Sequence, residues 1–391
     1  MSFNIISRPP NDTFTMRLFF DLTKNYKDIA DCMYIWSATI DPNYVQQLGV
    51  NWEITEASLR ERIRSNIDKD LIILGIKDHL TVDFSSFKKS VIIDYLNDMF
   101  NFYQDKKIIL FTSLENLQEY LTNDNLTIIP WGGDLTNQQA EYKKLDPIID
   151  KNLESPFSFI SLNRNSRDHR TLALSIIFGL NLESRGLLSF ANTAISKNDI
   201  QLLIDNITEN SLIKTVATQG SNKLLNYDFD LKNGQNIYNN SPNDNVSNFK
   251  NNLSSSYQNC FVEFINETSC PEKCFLLTEK TLNSIYACNF PIWICSKGTV
   301  KFLREIGLDV FDDIIDHSYD DIEDAAERIY KAIELNKAFL LDNKLVKDKW
   351  QQCKSRFLKN VQFVKEDIYD FYQNRAKEKF TTTIKQLTNN V

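Results

Sequence analysis

The chain is 391 residues long, 42% hydrophobic and 25% charged, with a formal net charge of −8. That length allows two or three domains with adequate cores, and the composition excludes wholesale disorder. The acidic balance disfavours nonspecific nucleic-acid binding by the whole chain, and no run approaches the roughly 18 apolar residues of a membrane span.

The opening stretch, MSFNIISRPPND, has no basic segment followed by an apolar one, so no secretory signal is expected. The seven cysteines are odd in number and scattered, and Cys270 and Cys274 are the closest pair. No second pair sits at zinc-ligand spacing, so the expectation is free thiols in a reducing cytoplasm and no metal or other cofactor. Asn, Lys and Ile are abundant while Gly is scarce, as expected of an AT-rich genome such as a virus can have.

Taken in chain order, strands are predicted at Phe3–Ile6, Met33–Thr39, Leu71–Ile76, Ile108–Thr112 and Leu126–Pro130. Helical patterns lie between them at Glu56–Ile63, Phe87–Phe102 and Leu114–Leu121. Apolar strands alternating with amphipathic helices predict parallel βαβ units and a sheet covered on both faces. The stretch Trp131–Asp134, WGGD, breaks the pattern. A charged run from Asn137 to Glu154, interrupted by Pro147, reads as an interdomain connection. The first domain is therefore placed at residues 1–150.

A second βα series begins with the strand Ser155–Leu162. The turn after it, Asn163–Arg170, reads NRNSRDHR and enters an apolar helix through Leu172, Ile176 and Ile177. It carries Arg164, Arg167 and Arg170, whose planar forks match phosphate oxygens bidentately. Open α/β sheets bind ligands at the C-terminal ends of their strands, where this turn sits. The plainer reading is a surface turn with Asp168 pairing an arginine. His169 is either an acid or phosphate donor, or a histidine packed at a helix start.

Gly186–Phe190 reads as the next strand and Asn198–Ile207 as a helix. Gln219–Asn252 is polar and Asn-rich, a loop of the length that forms lids or stays disordered. Asp228 and Asp230 within it have the spacing of a metal-binding pair. Their Asn-rich surroundings, in place of a buried strand end, make that a coincidence. Tyr257–Ile265 is predicted as a strand, with Glu267 where it gives way to the following loop.

The stretch Phe275–Gly307 organises the rest. Thr278 is a good N-cap for a helix whose Leu282, Ile285 and Tyr286 share one face. Glu279 and Lys280 occupy its first turn. Pro291–Cys295 reads as a buried strand, and a second helix starts at Lys297–Thr299 and stops at Gly307. Two helix N-termini opening at one sheet end attract phosphate, and an acidic side chain beside a basic one suits a ribose hydroxyl and a diphosphate. The spacing predicts a nucleotide-sugar site. Against it stands the simpler reading of a dipole-favoured Glu and a solvated Lys.

Leu308–Glu327 is strongly acidic and the tail from Lys337 is basic, a solvated helical face in preference to a membrane or nucleic-acid contact. Helices are predicted at Phe339–Lys349, Lys354–Tyr372 and Arg375–Leu387. The stripe of Val361, Val364, Ile368 and Phe371 predicts core packing.

Four segments carry a resemblance: SLNRNSRDHR, FVEFINET, LLTEKTLNSIYACNFPIWICSKGT and FLREIGLDVFDDIIDHSYDDIEDAAERI. In this order they resemble the donor half of a GT-B glycosyltransferase. The nearest likeness is to phage and marine bacterial glycosyltransferase-like proteins, with a more distant one to the fucosyltransferase family. The resemblance covers Phe157–Ile333. It implies an α/β fold of two Rossmann-like domains facing a cleft, a donor domain at 155–335 and a C-terminal helical segment at 336–391 that crosses back onto the first domain. It further implies that Glu279 contacts the ribose, that Lys280 and Arg164 hold the diphosphate, and that Arg167 or Arg170 supports them, with Asn163 and Thr278 completing the donor site. The Asn-rich loop and the Cys270–Cys274 loop depart from the fucosyltransferase pattern and leave the sugar open.

A diphosphate leaving group needs cations, helix N-termini or a metal to stabilise it, and an acceptor hydroxyl needs a base. Glu267 is the first acidic candidate for that base, with Asp134 and Glu53 as candidates in the first domain. Inverting displacement follows by analogy alone. The expected partners are a nucleotide-sugar donor and a glycan or other hydroxyl acceptor in a bacterial or virus-infected cytoplasm. A modified base in viral DNA is an alternative acceptor. A non-catalytic assembly protein with a nucleotide cleft is an alternative of a different class.

Overall fold

The structure is a computed structural model describing residues 4–5, 14–36, 61, 67–77, 97–98, 100–115, 117–119, 121, 123–132, 141–163, 167–190, 197–207, 209–227, 229, 249–267, 270 and 277–388. The chain divides into two compact α/β units, Met1–Ala140 together with Asp367–Val391, and Glu141–Glu366.

The first unit holds β1 (Asn4–Ile5), β2 (Ala30–Trp36), β3 (Leu71–Lys77), β4 (Lys107–Thr112) and β5 (Leu126–Pro130), paired in that order. Every pairing is parallel. Ile73, Ile109, Phe111 and Ile129 are buried on one face, while Ile72, Leu74, Ile108, Leu110 and Ile128 are buried on the other. That is the pattern of a sheet covered on both sides, and it explains the unbroken apolar runs of these strands. The helix α1 (Phe14–Thr23) packs Leu18 and Phe19 on the first of these faces, together with Ala376, Phe380 and Ile384 from the C-terminal helix Ile368–Thr388.

Two expectations are corrected here. The helix expected at Leu114–Leu121 is a single 3-10 turn, Leu117–Glu119. Leu114, Leu117 and Leu121 are buried and mimic a helical stripe. However, the Leu114 amide is captured by Thr112 Oγ1 at 3.2 Å, which favours a turn over a helix start. The helix expected over Lys354–Tyr372 is two helices, Lys354–Glu366 and Ile368–Thr388. The chain passes from one unit to the other between them. The apolar stripe thus serves two cores, Val361 and Val364 in the second unit and Ile368 in the first. The helices expected at Glu56–Ile63 and Phe87–Phe102 fall almost entirely outside the described residues.

The second unit is built on β6 (Phe159–Ser161), β7 (Gly186–Leu188), β8 (Val262–Asn266) and β9 (Phe290–Ile294). They form a parallel sheet in the order β7-β6-β8-β9. The helices α2 (Asp168–Gly179), α3 (Lys197–Ile207), α4 (Ser211–Leu224), α5 (Glu279–Tyr286), α6 (Thr299–Glu305) and α7 (Ala325–Glu334) accompany it. α2 and α4 cross at two glycines. A Cβ on Gly220 would stand 1.7 Å from Ser175 O, and one on Gly179 would stand 2.1 Å from Val216 O.

The expected loop Gln219–Asn252 is helical at both of its ends among the described residues. α4 runs to Leu224, Phe249–Leu253 forms a π-helical turn, and Ser254–Gln258 is helical, so β8 begins at Val262 and not at Tyr257. Among the described residues no helix is long and apolar enough to cross a membrane.

Candidate functional site

The strand order of the second unit reverses between β6 and β8. β6 passes through α2 to β7 on one side, while β8 and β9 extend the sheet on the other. In open parallel sheets the crevice beyond the strand ends at such a reversal is the usual ligand position. Asn163, Arg167 and α2 follow β6 there, and Glu267 follows β8.

The strand ends at this reversal are polar. The side-chain amides of Asn163 and Asn266 each donate to Ser161 Oγ at 3.1 Å, and the Asn163 main-chain amide donates to Ser189 Oγ at 2.9 Å. α2 is tied to the end of β8 by two bonds. Its His169 Nε2 donates to Glu267 O at 3.0 Å, and its Arg170 guanidinium donates to Asn266 O at 3.3 Å. The acceptor is a carbonyl, so the imidazole carries its proton on Nε2.

Burial, followed by the positive charges of Arg170 and Arg167, holds the His169 pKa well below its ordinary value, and the charge of Lys280 contributes in the same sense. His169 is therefore neutral at physiological pH and is a packed histidine at a helix start. Arg167, Arg170 and Lys280 all lie close enough to act on one imidazole, although Lys280 is far from the two arginines in the chain. Arg167 occupies the N-cap position of α2 and makes no side-chain capping bond.

α5 opens at the same end. Thr278 caps it, accepting from the Lys280 amide, and Glu279 and Lys280 form a half-buried ion pair at 3.1 Å. Lys280 Nζ also donates to Thr278 Oγ1 at 3.0 Å. The Glu267 carboxylate, 1% exposed, accepts from Thr278 N at 3.2 Å, Thr278 Oγ1 at 2.5 Å and Thr281 Oγ1 at 2.7 Å. Both of its oxygens are engaged in holding the start of α5.

The second helix N-terminus expected to draw phosphate does not serve that purpose. α6 has only seven residues, and its first amides, Val300 N and Lys301 N, donate to the carboxylate of Asp320 at 3.2 and 2.8 Å. An acidic side chain already fills the place a phosphate would take. The pair of helix starts at the strand-order reversal is α2 and α5.

Arg164 lies outside the described residues, as do Asp134, Glu53, Asp228 and Asp230. The other donor-site residues, Asn163, Arg167, Arg170, Thr278, Glu279 and Lys280, belong to the strand and helix ends described above. Sequence reasoning missed Ser161, Asn266 and Thr281. A polar residue closing an otherwise apolar strand was the available signal for the first two.

Among the described residues, no group of three or more His, Cys, Asp or Glu is placed to hold a metal ion. The six described cysteines are buried free thiols. No family model and no curated protein matches the chain.

Proposed function

We propose that the second unit binds the diphosphate of a nucleotide-sugar, and that the protein is a glycosyltransferase of GT-B architecture acting on a hydroxyl acceptor. The observation that carries this reading is that α2, with Arg170, and the start of α5, with Lys280, are both tied by hydrogen bonds to the Asn266–Glu267 end of β8 at the strand-order reversal. Two parallel α/β units and a C-terminal helix that returns to the first unit support the architecture.

In the reaction, the acceptor hydroxyl gives its proton to a base as its oxygen bonds to the anomeric carbon, the bond from that carbon to the diphosphate oxygen breaks, and the leaving group departs with the electron pair. Cationic side chains and helix N-termini stabilise the charge that develops on it. Glu279, paired with Lys280, takes the ribose hydroxyls in this reading. Inversion at the anomeric carbon is the stereochemistry that the reading carries by analogy.

Thermal stabilisation by UDP-, GDP-, CMP- and dTDP-sugars tests the proposal. One donor at about 100 times its dissociation constant should add about 2.7 kcal/mol to the wild type. Arg167→Ala and Lys280→Ala should lose most of that gain. Equal stabilisation of the wild type and both variants overturns the site.

A further inference from the structure

We infer that Glu267 is a positioning residue that fixes Lys280 for a diphosphate, and not the base that receives the acceptor proton; the inference rests on the diphosphate reading of this site. Glu267 touches three elements. Its main-chain amide donates to Ile294 O at the end of β9 at 3.1 Å, and its carbonyl accepts from His169 on α2. Its carboxylate holds Thr278 and Thr281 at the start of α5.

A hydroxyl has a single proton to give. Thr278 donates its proton to Glu267 Oε2 at 2.5 Å, which turns its lone pairs toward Lys280 Nζ at 3.0 Å. The ammonium is therefore aimed by a relay that ends on Glu267. Thr281 is held in turn by the indole N–H of Trp293, which donates to its hydroxyl at 3.2 Å from β9. A general base needs a lone pair within reach of the proton it takes. This carboxylate is buried and three of its four lone-pair sites hold the start of α5, which suits an anchor better than a base that must meet an acceptor hydroxyl.

Charge and position make opposite predictions for anion binding. Neutralising Glu267 removes a negative charge next to Lys280, and Coulomb's law alone then tightens the binding of an anion. Loss of the relay removes the hold of Thr278 on the ammonium, leaves it to the Glu279 carboxylate, and weakens anion binding. A base role leaves only the Coulomb effect and predicts no weakening of an inorganic ligand.

The experiment is calorimetric titration of inorganic pyrophosphate into the full chain, at a temperature where circular dichroism shows each variant folded. Glu267→Gln should weaken binding at least fivefold, and Thr281→Val, which leaves the charge unchanged, should weaken it in the same direction. In a Lys280→Ala background Glu267→Gln should add little, because its effect passes through Lys280. If Glu267→Gln does not fold, Thr281→Val decides the matter alone. Binding that is unchanged or tighter in the folded variants, or a full penalty persisting without Lys280, overturns the positioning role while leaving the diphosphate site standing. A wild type that binds neither pyrophosphate nor any nucleoside diphosphate overturns both.

Discussion

Arg375 Nη1 donates to Glu115 Oε2 at 3.0 Å, joining the C-terminal helix to the end of β4. Glu115 is 2% exposed, and burial raises its carboxyl pKa against the lowering effect of Arg375. Removing the arginine leaves a buried carboxylate without its partner, which costs about 3–5 kcal/mol for a fully buried pair. Arg375 is about one-third exposed, so solvent screening reduces that figure. Arg375→Ala should cost about 1–3 kcal/mol. The sign with pH is set by the raised carboxyl: the folded variant holds a proton more readily than the unfolded one, so acidification toward the ordinary carboxylate range should recover part of the loss. Urea unfolding at several pH values checks both statements, and a loss independent of pH contradicts the second.

Gly220 meets the backbone of α2 so closely that any side chain must push the two helices apart. Gly220→Ala would raise intrinsic helix propensity by about 1 kcal/mol. The steric cost of overpacking, typically about 1–3 kcal/mol and larger against rigid backbone, should win. A lowered denaturation midpoint is expected, and a raised one would contradict the close crossing.

Glu263 carries the pH dependence of the second unit's interior. Burial pushes its carboxyl from 4.5 up to about 8, against the hydrogen bond from Tyr257 and the charge of Lys151. Between those two pH values the folded chain keeps a proton that the unfolded chain has released. Stability therefore falls as pH rises through that window. The loss is at most about 1.4 kcal/mol for each pH unit crossed. Glu263→Gln is neutral throughout and should flatten this slope. Equal slopes in variant and wild type would exclude Glu263 as its source.

Arg328 is buried and spends its guanidinium on four carbonyls, those of Cys270, Cys295, Ile322 and Glu323, at 2.5–3.1 Å. Lysine keeps the charge but offers a compact ammonium in place of a planar fork. Arg328→Lys should leave buried carbonyls unpaired, at about 1–3 kcal/mol each. Reduced thermal stability in the conservative variant, approaching that of Arg328→Met, is the expected measurement.

Much of the framework was legible in the chain because it is written locally. Apolar runs such as Ile108–Thr112 and Pro291–Ile294 name buried parallel strands, and Thr278 followed by Glu279 and Lys280 names a capped helix start. What escaped depends on partners brought in from a distance. Asp320 caps α6 from 19 and 20 residues downstream, which cancels an N-terminus that looked open. The engagement of the Glu267 carboxylate by Thr278 and Thr281, 11 and 14 residues downstream, is likewise not legible near it in sequence. The break at Asp367 lies inside a continuous amphipathic pattern and marks a change of unit that periodicity does not record.

The placement of Ala376, Phe380 and Ile384 in the core of the first unit has a consequence for biosynthesis. The ribosome releases Met1–Ala140 long before it supplies the helix that this sheet packs against. The segment Glu141–Glu366 has all of its own strands and helices earlier, so it can mature during translation while its predecessor waits for the tail. Until Ala376, Phe380 and Ile384 have been synthesised, the growing N-terminal segment lacks the side chains that cover this apolar face in the folded unit.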